Sequence, residues 1–247
     1  PAFPNHHPDP TVDKNLSDLI KIVINKKCDF GVAYDGDADR IVAIDEKGSI
    51  IRSDILIALF LEDILEKNDP VVYDVKCSKA LKETILKFHG KPLMWKTGHS
   101  HIKNKMIETK AKIGGEMSGH IFFADKYFGY DDGIYVSLRL AELISNKEEK
   151  LSTLVSRIPK YVSTPEIRVN CQSDEEKRDI VNKAINYFKN KYSCDLTDGV
   201  RIEFDDGWGL IRQSNTQPVI VFRFEANTLS NFEKSGFTME HRDFGFG

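Results

Sequence analysis

The chain has 247 residues, 40% of them hydrophobic and 30% charged, with a net charge near −3, which gives room for two domains or slightly more and implies no polyanion partner. It contains no stretch of about eighteen apolar residues, no signal-peptide pattern and no basic block, so membrane, secretion and nucleic-acid readings lack support and the cytoplasm is the default compartment. Cys28, Cys77, Cys171 and Cys194 lie far apart without a C-x-x-C pair, which points to free thiols rather than to zinc or a disulfide framework.

The chain opens at Pro1 without an initiator Met, its first segment reads as the end of something, and we expect a fragment. Residues 1–14, with four prolines and two adjacent histidines, form a loop entering a helix over Leu16–Lys26. A strand is expected at Phe30–Tyr34, then a hairpin of Arg40–Ile44 with Ser49–Arg52 about Glu46-Lys47-Gly48. Ser53 or Asp54 should cap an apolar helix through Leu65. There follow a strand at Val71–Val75, a helix at Ala80–Phe88, a strand at Pro92–Trp95 and a helix at His101–Thr109. Gly115 opens a loop, Ile121–Phe123 returns as a strand, and Asp131 or Asp132 caps a helix to Ser145. The charged, Pro-containing stretch 146–165 is the expected boundary, with Leu151–Ile158 able to form a short helix. Beyond it come a strand at Glu166–Asn170, a long helix capped by Ser173 and reaching Tyr192, and three close strands, Gly199–Phe204, Trp208–Arg212 and Val219–Glu225. The expected class is α/β: the end of one α/β domain (1–52), a complete α/β domain with a mixed sheet (53–150), a C-terminal α+β domain with an antiparallel sheet (163–234), and a frayed or aberrant tail (235–247).

The most informative stretch is Asp35-Gly36-Asp37-Ala38-Asp39-Arg40. Three carboxylates at alternate positions, separated by small residues, can converge on one hard cation, and ligands offering only oxygen favour magnesium. Asp35, Asp37, Asp39 and Glu46 also fit part of a calcium EF-hand, but Arg40 stands where that loop needs Gly, and the flanks read as strands. Arg40 beside a metal cluster suits an anion arriving between the two, such as a phosphate.

Gly115-Glu116-Met117-Ser118-Gly119-His120 brings an acceptor, a hydroxyl and an imidazole together on a permissive backbone, which is equipment for reading sugar hydroxyls and equally a surface turn. Arg212-Gln213-Ser214-Asn215-Thr216-Gln217-Pro218, between two strands, offers a guanidinium fork, hydroxyls, an amide and backbone N–H groups to one anion, or is a polar hairpin loop. Lys76 ends a strand, and Lys96-Thr97-Gly98-His99-Ser100 joins a strand to a helix N-terminus, both places where α/β folds bind ligands.

Taken together with Asp74-Val75-Lys76-Cys77, and in this order and spacing, these motifs resemble the α-D-phosphohexomutases, particularly the bacterial phosphomannomutase/phosphoglucomutase branch, from Pro4 to about Asn231. Pro4-Asn5-His6-His7-Pro8-Asp9-Pro10 is similar to the segment that precedes the metal-loop strand in that family. The resemblance implies that Asp35, Asp37 and Asp39 bind Mg2+ and that Arg40, His99 and His120 serve the chemistry. Lys76 and Gly98 would meet the substrate, and Glu116 and Ser118 would hold sugar hydroxyls. Arg212, Ser214, Asn215 and Thr216 would grip the phosphate that is not reacting, and Gln217 replaces the commoner acidic residue without changing reach. It implies a phosphorylated hexose as partner, interconversion of the 1- and 6-phosphates of mannose or glucose, and a hexose 1,6-bisphosphate as intermediate and activator. Met117 and Ser214-Asn215-Thr216 lean toward unmodified hexoses.

The phosphoserine of that family sits in a Ser-His-Asn-Pro-like loop, which this sequence lacks: Ile102 and Lys103 follow Ser100-His101, and Asn5-His6-His7-Pro8 has no serine. The chain alone is therefore expected to bind better than it turns over. A catalytically silent sugar-phosphate-binding protein and a calcium-binding module are the alternatives.

Overall fold

The computed structural model describes residues 2–230, so the expected tail at 235–247 lies outside the described residues. The chain divides into two compact units, one ending at Pro159 and the other beginning at Lys160.

The first unit opens with a single 3-10 turn, Asp13–Leu16, that runs into α1 (Ser17–Lys26). Strands β1 (Phe30–Tyr34), β2 (Ile41–Asp45) and β3 (Ile50–Ile51) form an antiparallel sheet in that order. Leu16 and Val23 pack beneath Val42 and Ile44, so α1 covers one face of this sheet. The β2–β3 turn falls where the sequence placed it, because the buried Asp45 carboxylate accepts from Lys47 N and Ser49 N at 2.9 and 2.7 Å. An aspartate reaching two residues ahead in this way organises a turn in place of ladder hydrogen bonds.

The second sheet has the order β5-β4-β6-β7, with β4 (Pro70–Asp74) parallel to both β5 (Lys91–Trp95) and β6 (Ile113–Gly115), and β7 (Ile121–Phe123) antiparallel to β6. It is the expected mixed sheet. A strand covered on both faces reads as an unbroken apolar run, which is what Val71, Val72 and Tyr73 supply. One face takes α4 (His99–Thr109), whose Ile102 and Met106, four residues apart on one side of the helix, meet Val72 and Phe122. The opposite face takes α2 (Ser53–Ile64), where Phe60 meets Phe123 edge-to-face at 5.0 Å. Helices α3 (Lys79–Lys87), α5 (Gly133–Lys147) and α6 (Leu151–Ser156) complete this unit.

Three local expectations need correction. Neither Ser53 nor Asp54 caps α2: the N-cap is Arg52 without a side-chain hydrogen bond, the Ser53 hydroxyl donates to the Glu116 carbonyl, and Asp54 accepts from Ser78 N at 2.9 Å. Both side chains are drawn into longer-range bonds because the helix start is fully buried. Gly115 ends strand β6 instead of opening a loop, a strand too short to show a period. Helix α4 begins at His99, two residues earlier than expected, with Gly98 as N-cap.

In the second unit, β10 (Ser193–Asp195), β11 (Val200–Phe204), β12 (Gly207–Gln213), β13 (Val219–Ala226) and β8 (Val162–Ser163) lie in that order, and β9 (Ile167–Asn170) also pairs with β13; every pairing is antiparallel. Ser173 caps α7 (Asp174–Phe188) as expected, its side chain accepting from Glu176 N at 3.1 Å. The helix stops at Phe188, short of Tyr192, and lays Val181, Ala184 and Phe188 on Val200, Ile202, Ile211 and Ile220.

Candidate active site

In the first unit the acidic loop bridges β1 and β2, and its backbone is held in a costly shape. Ala38 is left-handed (φ 62°), a conformation that costs a residue with a Cβ about 1–2 kcal/mol. Its carbonyl accepts from Gly133 N at 2.8 Å, so the N-terminus of α5 fixes the loop. A Cβ at Gly133 would stand 2.9 Å from the Ala38 carbonyl oxygen and 3.0 Å from that of Arg40, which explains the glycine. On the other side Ile41 N donates to Gly119 O at 3.2 Å, and Arg40 and His120 form a β-bridge. Gly119 (φ +117°) allows this approach, since a Cβ there would lie 3.0 Å from Arg40 Cβ. The acidic loop and the 115–120 loop are thus stitched together through main chain.

Asp35, Asp37 and Asp39 each present a carboxylate oxygen, and these oxygens lie within 4.8 Å of one another. Arg40 is anchored beside them: its Nε donates to Asp35 Oδ2 at 2.7 Å, its backbone N to Asp35 Oδ1 at 3.1 Å, and its Nη1 is 3.6 Å from Asp9 Oδ1. Burial alone would raise the Asp35 carboxyl, but the hydrogen bonds from Arg40 outweigh it and hold the group below its usual range. Asp39 behaves oppositely. Burial pushes its carboxyl up to about 6, the charge of His120 works against that, and Asp35 and Asp37 add to it. Asp39 Oδ1 is buried without a hydrogen-bond partner among the described residues. An orphaned carboxylate oxygen in a trio of carboxylates is what a hard divalent cation would satisfy, so the residues fit magnesium. They do not form a calcium loop, because Glu46 turns away and accepts from Ser152 Oγ and N at 2.5 and 3.1 Å.

His120 follows directly. Its Nδ1 lies 2.8 Å from Asp131 Oδ2 and 3.7 Å from Asp39 Oδ2, and the His99 ring stacks on it at 5.6 Å. Burial would lower the imidazole, but Asp131, Glu116 and Asp39 overcome it and hold the ring above its ordinary value. Asp131 is held low in turn: burial opposes this, and the bond to His120 prevails. The His99 side chain is largely exposed, with Nδ1 3.7 Å from Asp131.

Glu116 is almost fully buried. Its Oε1 accepts from Gly98 N at 2.5 Å, so Gly98 meets Glu116 through its backbone. Burial and then the neighbouring Asp74 charge push the Glu116 carboxyl up to about 7, against the pull of Lys76, the Gly98 N–H and His120. Lys76 is buried too, with Nζ 3.6 Å from Asp74 Oδ2. Ser118 sits half-buried in the same loop.

The second unit carries the other loop. Arg212 is 4% exposed, its Nε donates to Asp198 Oδ2 at 2.9 Å, and its Nη2 is buried without a hydrogen-bond partner among the described residues. Ser214 Oγ accepts from Thr216 N and Gln217 N at 3.3 and 3.2 Å, while Asn215 and Thr216 are exposed at the tip. Lys177, buried on α7, donates from Nζ to the carbonyls of Ser214 and Gln217 at 3.0 and 3.2 Å and so holds the loop from behind.

Sequence reasoning assigned no role at the site to Asp9, Asp74, Asp131 or Lys177. For Asp131 the signal was present: of the two aspartates offered as caps, Asp132 takes the cap of α5, accepting from Tyr135 N at 2.9 Å. That leaves its neighbour to face the imidazole. Lys177 stands in register with Val181, Ala184 and Phe188 on the buried stripe of α7, and a lysine at such a position must find acceptors.

This is an α/β protein in which a strained acidic loop, a paired imidazole and a buried glutamate meet beside a mixed sheet. Residues 1–48, 52–161 and 166–234 match the family models of phosphoglucomutase/phosphomannomutase alpha/beta/alpha domain II, alpha/beta/alpha domain III and C-terminal domain, and the chain belongs to the α-D-phosphohexomutase family, in its bacterial branch. It is 44% identical over 234 residues to a phosphomannomutase/phosphoglucomutase of Pseudomonas aeruginosa, covering 94% of this chain and 50% of that protein. It is 42% identical over 237 residues to a phosphoglucomutase of Neisseria meningitidis serogroup A, covering 94% and 51%. The crystal structure of a phosphoglucomutase/phosphomannomutase family protein from Burkholderia thailandensis superposes with a TM-score of 0.86 at 40% identity, over 94% of this chain and 50% of that one. The chain spans about half the length of the curated relatives it matches.

Proposed function

We propose that this chain carries the metal loop, the sugar-reading loop and a phosphate loop of an enzyme that interconverts the 1- and 6-phosphates of mannose or glucose. The observation that carries the reading is the joining of the acidic loop, His120 and the buried Glu116 into one cluster, with Asp39 Oδ1 left without a hydrogen-bond partner among the described residues, a place a cation would fill. Asp35, Asp37 and Asp39 would hold Mg2+, which when bound supplies positive charge beside a transferring phosphoryl group. Arg40, locked by Asp35 and Asp9, keeps a fixed guanidinium for phosphate oxygens. His120, whose pairing with Asp131 outweighs the effect of burial, can donate a proton and take it back. His99 flanks it, and Lys76 and Gly98 border Glu116. Glu116 and Ser118 accept and donate to the ring hydroxyls, and Arg212, Ser214, Asn215 and Thr216 take phosphate oxyanion through guanidinium, hydroxyl, amide and N–H donors.

The phosphoserine and the bisphosphorylated sugar intermediate of the family reaction need a nucleophilic Ser loop that these residues do not include, so this chain by itself should bind hexose phosphate without sustained turnover. Residues 1–52, 53–150 and 163–234 correspond in this reading to the end of domain two, domain three and domain four of the family plan. The cysteines form no disulfide among the described residues, which suits a cytoplasmic enzyme.

Epimers of the sugar test this. Mannose and glucose differ at C2, for which no residue is assigned, and agree at C3 and C4, whose hydroxyls this reading gives to Glu116 and Ser118. Calorimetric titration of this chain with the three 1-phosphates should give similar affinities for glucose and mannose. Galactose, inverted at C4, should bind more weakly by about 1–3 kcal/mol, the cost of an unpaired buried polar group. Galactose 1-phosphate binding as tightly as glucose 1-phosphate would remove the 115–120 loop from the sugar.

A further inference from the structure

Asp74 closes β4 with no exposed surface, and the cost of burying a carboxylate there is not explained by strand packing. Its Oδ1 accepts from Cys77 Sγ at 3.1 Å and from Met117 N at 3.3 Å. Its Oδ2 accepts from Thr97 Oγ1 at 3.4 Å and lies 3.6 Å from Lys76 Nζ. These donors come from three separate segments: the turn after β4, the loop before α4, and the 115–120 loop. A single apolar residue would be cheaper to bury at this point but could tie none of them together.

We infer that Asp74 is a positioning residue, which locks the 115–120 loop and the Lys76 ammonium into one arrangement toward a hexose phosphate. This rests on the reading above that the 115–120 loop binds the sugar. The groups that act on Glu116 are Asp74 from the end of β4, Lys76 from the turn beyond it, His120 from the edge of β7 and the Gly98 N–H at the start of α4. Of these Asp74 alone is negative, so it opposes ionisation of Glu116 while the other three favour it. Neutralising Asp74 would release the 117 backbone and shift the balance at Glu116 toward the carboxylate.

The test is Asp74→Asn in this chain, with glucose 1-phosphate titrated calorimetrically between about pH 5.5 and pH 8.5 beside wild type and Glu116→Gln. The phosphate's own titration near pH 6 is common to all three proteins and cancels in the comparison. Expected for Asp74→Asn is a loss of about tenfold in affinity at high pH, in the range of a hydrogen bond to a charged group, together with a lower pH at which binding falls away. Affinity lost with an unmoved pH profile would reduce Asp74 to a structural part and overturn the proposal, as would unchanged affinity. If Asp74→Asn does not fold, Thr97→Val removes one donor from the outer side of the carboxylate. A loss of about threefold is then expected, and an unchanged Kd overturns the proposal. Wild type and Glu116→Gln binding glucose 1-phosphate equally well would sink the reading of the sugar loop itself, an outcome separate from the fate of Asp74.

Discussion

The cluster of the first unit and the loop of the second, the two candidate binding regions, are built on different physics. In the cleft, five buried or half-buried titratable side chains, Asp39, Lys76, Glu116, His120 and Asp131, set one another's charge, so that two carboxyls are pushed up toward neutrality while another is held down. In the loop at 212–217, one buried guanidinium lies beside a turn whose Ser214, Thr216 and Gln217 N–H groups are bonded locally, with Asn215 and Thr216 exposed at the tip and Lys177 and Asp198 bracing it from behind. In the loop the one buried guanidinium is held by a single ion pair with Asp198 among the described residues, and the difference teaches that charge in the first region is set by several coupled groups and in the second by one fixed pair.

The largest effect that would sharpen this contrast is on stability. The Glu116 carboxyl is held up to about 7 against an ordinary 4.5, so the folded chain binds that proton more tightly than the unfolded chain does. Its contribution therefore favours folding at low pH, is lost as pH rises from about 4.5 to about 7, and stays unfavourable above. Glu116→Gln keeps an oxygen for Gly98 N and removes the charge. Denaturant unfolding at about pH 8 should show the variant more stable by roughly 3 kcal/mol, with the gain vanishing near pH 4. A variant less stable than wild type at both values would mean that Glu116 is a satisfied structural carboxylate.

A smaller effect, about tenfold, is expected at the acidic loop. Asp37 is its most exposed carboxylate and the least committed to protein partners, so Asp37→Asn should weaken Mg2+ binding with little change in fold. Calorimetry with magnesium chloride on both proteins measures it. Equal affinities would take the loop out of the metal site.

Much of the fold was legible from periodicity and punctuation. The apolar run at Val71–Val75, the Ser173 cap and the Glu46-Lys47-Gly48 turn each follow from local residue types, and the structure agrees on all three. Strands β6, β8 and β10, of two or three residues each, were not, because a period cannot be read over so few positions. The same split runs through the candidate site. Alternating carboxylates and a Gly-Glu-x-Ser-Gly-His string announce themselves, whereas Asp74 and Asp131 act through partners 43 and 11 residues away that only the fold brings near. Ser53 shows the converse: a residue with every mark of a helix cap was taken by a carbonyl 63 residues on.

The division of labour between the two regions is tested most directly by two ligands and two variants. Glucose 1-phosphate and inorganic phosphate, titrated into wild type, Glu116→Gln and Arg212→Ala, separate sugar reading from phosphate holding. Expected is a loss of roughly tenfold or more for glucose 1-phosphate in Glu116→Gln with inorganic phosphate unchanged, and a comparable loss for both ligands in Arg212→Ala. Glu116→Gln weakening inorganic phosphate as much as the sugar phosphate, or weakening neither, would contradict the assignment of sugar recognition to the cleft.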